Sequence, residues 1–416
     1  MSTARRAVAL AVSATLGTAA LALAPAASAA PATTGSPAPS PVLPSGLYGS
    51  GDPTYDGVWR QSLALLAQDV SGVVPADKAV AWLAAQQCAS GGFASYRADV
   101  SAACPASLPL DSNATAVAVQ ALTALGEKET AQKAVTWLRS TQNADGGWSY
   151  NPGGASDANS TSLVIGAFSA AGVKPAEVRS PGGKSPFDAL LTFATPCGGK
   201  DGGAFVYQPK QPGMVADSTA AAVVAARGQG LSPAAGEPDA RGTACVPGKT
   251  LPDAAHNGAA YLAGALAATG HLLTPPMPGA TDSAPKPDVG NTADAVAALA
   301  AQGLKERTAK PLAWLKANSA AWAKESGPAA YAQLIFAARA AGAQPTDFGG
   351  ADLVAQLTAL GPDPRADAAQ ATEEKKKENE KDEKGSDSGQ WWLVGAFFAA
   401  SVGAGILISG RRKNKS

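Results

Sequence analysis

Histidine is nearly absent, with two in 416 residues. That leaves little room for His-based metal coordination or acid–base chemistry. An excess of charge of either sign is missing as well, since 33 Lys and Arg balance 33 Asp and Glu. The body carries no basic stripe, which argues against a nucleic-acid partner. The β-branched alternation typical of strands is scarce, so the chain reads as all-α. Cysteine is limited to Cys88, Cys104, Cys197 and Cys245, without the Cys-x-x-Cys spacing that zinc sites use. An even count in an exported body points to disulfides, and four cysteines allow three connectivities. Cys88–Cys104 and Cys197–Cys245 are the expected pairs, because each would close a loop leaving the end of one helix.

The chain ends carry targeting signals. Residues 1–30 read as a cleaved secretory signal, with Arg5 and Arg6, an apolar stretch from Ala7 to Ala24, and the small-residue exit Ala27-Ser28-Ala29. The flanks of the twin arginine do not separate the two export routes. Residues 31–45, rich in Pro, Ala, Ser and Thr, read as a flexible lead. Residues 363–390 read as a solvated stalk, because the charged run from Glu373 to Ser388 cannot bury apolar area. Trp391 to Ser409 is 19 residues without a charge, enough to cross roughly 30 Å of hydrocarbon. A transmembrane helix is therefore expected over 391–410, with Trp391 and Trp392 at the interface. Arg411, Arg412, Lys413 and Lys415 make the tail, 411–416, cytoplasmic by the positive-inside rule. The expectation is a single-pass cell-membrane protein whose body, residues 46–362, faces outside.

Within the body one phrase recurs: a helix-like run, a Gly-Gly-aromatic turn, and a second helix opening on Asp, Asn and Thr. The first copy has Gln87, Gly91-Gly92-Phe93 and Asp111-Ser112-Asn113-Ala114-Thr115. The second has Gln142, Gly146-Gly147-Trp148 and Asp157-Ala158-Asn159-Ser160-Thr161. A looser third has Gly202-Gly203, Phe205 and Asp217-Ser218-Thr219. A period of roughly 50–60 residues means one helical unit stacked on itself, because a lone helix pair cannot bury its apolar face. Polar starts, apolar periodicity and Gly stops predict twelve helices in two interleaved sets. One set covers about 77–87, 131–141, 187–195, 254–269, 308–318 and 349–360. The other covers about 58–69, 112–125, 158–171, 217–229, 291–303 and 328–341.

Gln142-Asn143-Ala144-Asp145-Gly146-Gly147-Trp148 resembles the Gln–Trp repeat of squalene and terpene cyclases, and Gln87 to Phe93 is a weaker copy. Asp217-Ser218-Thr219-Ala220-Ala221 is similar to inner helices of protein prenyltransferase β subunits and to the Asp-Thr-Ala-type helix of the cobalamin carriers transcobalamin and intrinsic factor. The resemblance spans residues 50–362 and implies an α6/α6 toroid of six helix pairs. The helix over 349–360 would then pack beside the helix over 58–69 and close the ring.

Activity does not follow from the resemblance, because one fold hosts many functions. Class II cyclases use an Asp-x-Asp-Asp or Asp-Cys-Thr-Ala-Glu acid. Prenyltransferases hold zinc through Asp-x-Cys and a distant His, and thioester domains carry Gly-Cys-Gly-Glu-Gln. None of these strings occurs here, so no catalytic residue and no metal ligand is expected. Asp111, Asp157, Asp217 and Asp288 recur at helix starts, where capping of free N–H groups accounts for them without a ligand. The competing reading is a polar rim. Asp111, Asn113, Asp157, Asn159, Asp217 and Asn291, with Tyr150 and Tyr207, would ring one end of a central cavity and bind a small molecule.

Resemblance to the cobalamin carriers makes a corrinoid, captured for uptake, one candidate ligand; no other cofactor is expected. Because no β domain follows the helices, a separate lid protein or membrane transporter would be its partner. The alternatives are a cyclase- or prenyltransferase-type enzyme acting on a lipid, and a structural or protein-interaction module. A deep aromatic-walled cavity would favour the enzyme, a shallow polar-rimmed one the binder, and an Ala-filled one the structural module.

Overall fold

The computed structural model describes residues 44–274 and 284–366. The expected signal, nearly all of the lead, most of the stalk, the transmembrane helix and the basic tail lie outside the described residues. Among the described residues, no helix is long and apolar enough to cross a membrane.

The described residues are helix-rich, with thirteen α-helices and two short strands. Six helices are buried on nearly every face: α1 (Gly57–Val70), α3 (Ser112–Ala124), α5 (Ala158–Ala170), α7 (Val215–Ala226), α9 (Val289–Ala301) and α12 (Pro328–Ala340). Their runs of Ala, Val and Leu give apolar surface all round, which suits a helix enclosed by others. Each packs against the next in the series, and α12 packs against α1, so the neighbour relations form a cycle. Six more helices alternate with them in sequence: α2 (Asp77–Ala85), α4 (Lys128–Ser140), α6 (Pro186–Thr192), α8 (Leu251–Ala267), α10 (Ala309–Asn318) and α13 (Leu353–Thr358). These are amphipathic. In α4 the buried residues Ala131, Ala134, Val135 and Leu138 recur at helical spacing while Lys133 and Thr136 face out.

Both interleaved sets match the sequence expectation to within a few residues at each end. The closure differs in detail: α1 lies mainly against α12, and α13 meets α1 through Gln68 Nε2, which donates to Thr358 Oγ1 at 3.1 Å. An extra short helix, α11 (Ala320–Ser326), follows α10 and stops at Gly327, whose positive φ of 77° precedes the Pro328 that opens α12. Strand β1 (Leu272–Thr274) pairs antiparallel with β2 (Lys286–Asp288), which leads into α9.

Each element of the repeated phrase has a distinct mechanical job. Gly91 and Gly146 sit at φ 97° and 95°, and a Cβ on either would collide with a backbone carbonyl, Lys133 O or Ser185 O, near the following outer helix. Gln142 Nε2 donates to Gly146 O at 2.8 Å, and Gln87 Nε2 donates to Gly91 O at 3.0 Å and to Thr130 O at 2.8 Å. The aromatics Phe93, Trp148 and Phe205 are fully buried between units. Threonine then pins turn to helix. Thr115, Thr161 and Thr219 Oγ1 accept from the N–H of Phe93, Trp148 and Phe205 at 2.9, 3.1 and 2.9 Å. Thr292 does the same for Leu272 N–H at 2.9 Å. Thr161→Val is therefore expected to cost about 1–3 kcal/mol, because it leaves a buried N–H unpaired. Urea denaturation checks this, and a loss below about 0.5 kcal/mol would show that the pin is dispensable.

Both expected disulfides are present, Cys88–Cys104 and Cys197–Cys245, with Cα–Cα distances of 5.7 and 5.8 Å. They are consistent with an extracellular protein.

Candidate functional site

The inner helices line a cavity of about 280 Å³ that is open on one side. At the helix-start end its wall holds Asn113 on α3, Asn159 on α5, and Asp217 on α7, with Asn291 on α9. Deeper along the helices lie Gln120 on α3, Ser162 on α5, Asp294 on α9 and Gln333 on α12. Leu163, Ala220, Val224 and Ala297 supply apolar wall, and Trp59 from α1 is its one aromatic side chain. The segment after α7 folds back as a floor, where Leu231 N–H donates to Gln120 Oε1 at 2.8 Å.

The eight residues predicted from sequence divide into two groups. Asn113, Asn159, Asp217 and Asn291 line the cavity. Asp111 and Asp157 instead turn back on their own helices. Asp111 Oδ1 accepts from Asn113 N at 2.7 Å and Ala114 N at 3.0 Å, and Asp157 Oδ1 accepts from Ser160 N at 2.7 Å. The free N–H groups of the first turn claim those carboxylates, so they act as caps. Tyr150 and Tyr207 are outside the cavity wall, with their hydroxyls directed at Asp111 and Asp157 respectively.

Asp217 differs from the other acidic residues because α7 starts earlier than its sequence suggests. Counted back from the pinning threonine, Val215 of α7 stands where Asp111, Asp157 and Asp288 stand in α3, α5 and α9. Asp217 falls at the position of Asn113 and Asn159. It makes no cap bond, which leaves its carboxylate for the cavity, where Asn159 Nδ2 donates to Asp217 Oδ2 at 2.6 Å.

The cavity wall carries two carboxyls and no Lys, Arg or His. Burial raises the Asp217 carboxyl, and the charges of Asp288 and Asp157 add to that while the Asn159 bond opposes it. Asp294 is pushed up to about 7, chiefly by burial and then by the charges of Asp217 and Asp288, against the bond donated by Gln333 Nε2 at 3.2 Å. Burial likewise raises the capping carboxyls of Asp111 and Asp157, with backbone N–H groups opposing it. Among the described residues no cluster of three or more His, Cys, Asp or Glu could hold a metal ion.

Three polar atoms in the wall lack any protein partner: Asn113 Oδ1, Asn159 Oδ1 and Ser162 Oγ. Buried polar atoms are nearly always paired, so these three are exceptions, and they belong to residues that line the cavity. The sequence reading missed Asp294, Gln333, Gln120 and Ser162. Asp294, Gln333 and Gln120 are each a lone polar side chain inside an apolar helical run, as in Ala293-Asp294-Ala295-Val296, and Ser162 follows the polar run Asn159-Ser160-Thr161. That signal was present in the sequence, but attention to helix starts passes over it.

No protein-family profile matches the chain, and no functionally curated protein matches it either. A solved crystal structure of a protein from Actinoplanes is similar, at 17% sequence identity and a TM-score of 0.46, over 72% of this chain and 94% of that one. That similarity is too distant to carry a function across.

Proposed function

We propose that this chain is an exported, membrane-anchored binding protein whose six inner and six outer helices form an α/α toroid, with a small polar molecule held in the central cavity. The observation that carries this reading is the set of unpaired wall atoms on Asn113, Asn159 and Ser162, set among carboxyls and amides on five inner helices. Capping explains Asp111 and Asp157 but not these. The volume of about 280 Å³ lies at the small end of ligand pockets. A corrinoid is wider than such a cavity and would have to lie across it, under a lid protein or transporter, so a smaller occupant fits better. The two disulfides and the apolar segment over 391–410 support display outside the cell on a membrane anchor.

A cyclase-type enzyme is the second reading. Asp294 favours it, as an acid whose proton is retained up to about pH 7. The single aromatic in the wall weighs against it, since a carbocation intermediate needs several ring faces for stabilisation. The cavity is also not filled by alanine side chains, which weighs against a purely structural module.

Native mass spectrometry of the full-length protein, followed by denaturation and small-molecule analysis, tests the binding reading. A bound molecule is expected in the wild type and not in Ala221→Phe, which fills the cavity from its wall. Retention of the same molecule by a folded Ala221→Phe protein would overturn the assignment.

A further inference from the structure

We infer that the occupant of this cavity is a small organic cation bearing N–H donors: a protonated amine, amidine or guanidine. The inference rests on the binding reading above and names its ligand class. Charge points one way, because Asp217 and Asp294 face the cavity with no basic side chain to balance them. A buried carboxylate without a cation is costly, and a ligand cation would relieve it.

Hydrogen-bond inventory narrows the class. Three amide donors are already spent on carboxyls: Asn159 Nδ2 on Asp217, Gln333 Nε2 on Asp294, and Asn291 Nδ2 on Asp288 at 2.7 Å. Among the buried amide atoms of the wall, the two without a protein partner, Asn113 Oδ1 and Asn159 Oδ1, are acceptors. Ser162, a residue only 5% exposed, adds an unpartnered hydroxyl. An anion would meet two carboxyls and no basic side chain here, whereas an ammonium or guanidinium group supplies N–H groups to these oxygens. Trp59 adds an aromatic ring to the wall, a group against which organic cations are held. A bare metal ion is disfavoured, because the carboxyls number two and most of the remaining wall is apolar.

Calorimetric titration of the full-length protein tests the assignment. The probes are putrescine and agmatine, with butanediol as the neutral counterpart, succinate as the anion, and tetramethylammonium as a cation without N–H groups. Putrescine or agmatine is expected to bind at least about tenfold tighter than the other three, a difference of about 1.4 kcal/mol. Asp294→Asn should weaken that binding by about tenfold or more, and Ser162→Ala should weaken it less, by several-fold. Melting curves confirm that each variant is folded. If butanediol or succinate binds as tightly as the diamine, the cation assignment fails and the binding reading stands. Equal binding of tetramethylammonium overturns the N–H requirement. If no probe binds, the cation assignment fails, and if the purified protein also carries no molecule, the binding reading fails with it.

Discussion

Asp294→Asn is expected to stabilise the empty protein at about pH 8, by about 2–4 kcal/mol, while leaving its stability below about pH 4 unchanged. The folded carboxyl of Asp294 titrates at about 7, against an ordinary value of 3.8. Between those values the folded state holds a proton that the unfolded state has released. Stability therefore falls as pH rises, by about 1.4 kcal/mol per unit for this one group, and levels off above about pH 7. The asparagine variant has no such proton. Urea unfolding of both proteins across this range should give curves that meet at low pH and separate as pH rises. Parallel curves would mean that Asp294 is solvated and paired well enough to titrate normally. Natural proteins retain such destabilising groups chiefly where a site requires them, which links the stability measurement to the ligand titration.

A second large effect is expected at Asp239, in the long segment between α7 and α8. Its Oδ2 accepts from Arg241 Nη2 at 2.8 Å, Gln302 Nε2 at 2.8 Å and His256 Nδ1 at 2.9 Å. His256 is fully buried, and its Nε2 contacts Ala244 O at 2.9 Å. Removing Asp239 leaves the buried His256 and Gln302 without their partner, while the exposed Arg241 can turn to water, so Asp239→Ala is expected to cost about 2–4 kcal/mol. Asp239→Asn, which keeps an acceptor oxygen, should cost less. The Arg241 bond, with the bonds from Gln302 and His256, holds the Asp239 carboxyl well below the ordinary range. Its stabilisation is therefore complete above the ordinary carboxylate range and is lost only on strong acidification. Chemical denaturation near neutral pH decides the matter, and a loss under about 1 kcal/mol for the alanine variant would show that the network is replaceable by water. Because the same segment supplies the cavity floor at Leu231, weakening its anchor should also loosen the site.

Local signals made the helical framework legible in the sequence. Apolar periodicity, Gly stops and Asp or Asn starts placed twelve helices, and loop-closing geometry placed both disulfides. The missed α11 is a short Ala-rich turn between Ser319 and Gly327, too brief for periodicity to register. The site was half legible. Asn113, Asn159, Asp217 and Asn291 came from recurrence at helix starts, but recurrence alone does not distinguish a carboxylate bound to its own helix from one facing a cavity. That distinction depends on where each helix begins, and in α7 the first turn starts at Val215, ahead of the Asp that seemed to open it. The floor was illegible for a different reason. The Gln120–Leu231 bond joins residues 111 positions apart, and nothing local in either segment encodes it.

The threonine pins have a consequence for how such a protein can change. In α3 and α5 the cap, the pin and the cavity-facing residue are three different positions: Asp111, Thr115 and Asn113 in one, Asp157, Thr161 and Asn159 in the other. Folding information and recognition information are thus written in separate letters of the same short word. α7 already uses that freedom, with Asp217 in the recognition letter and Thr219 still in the folding one. A lineage could rewrite the recognition letters one helix at a time, altering what the cavity accepts while every helix keeps its start and its neighbour.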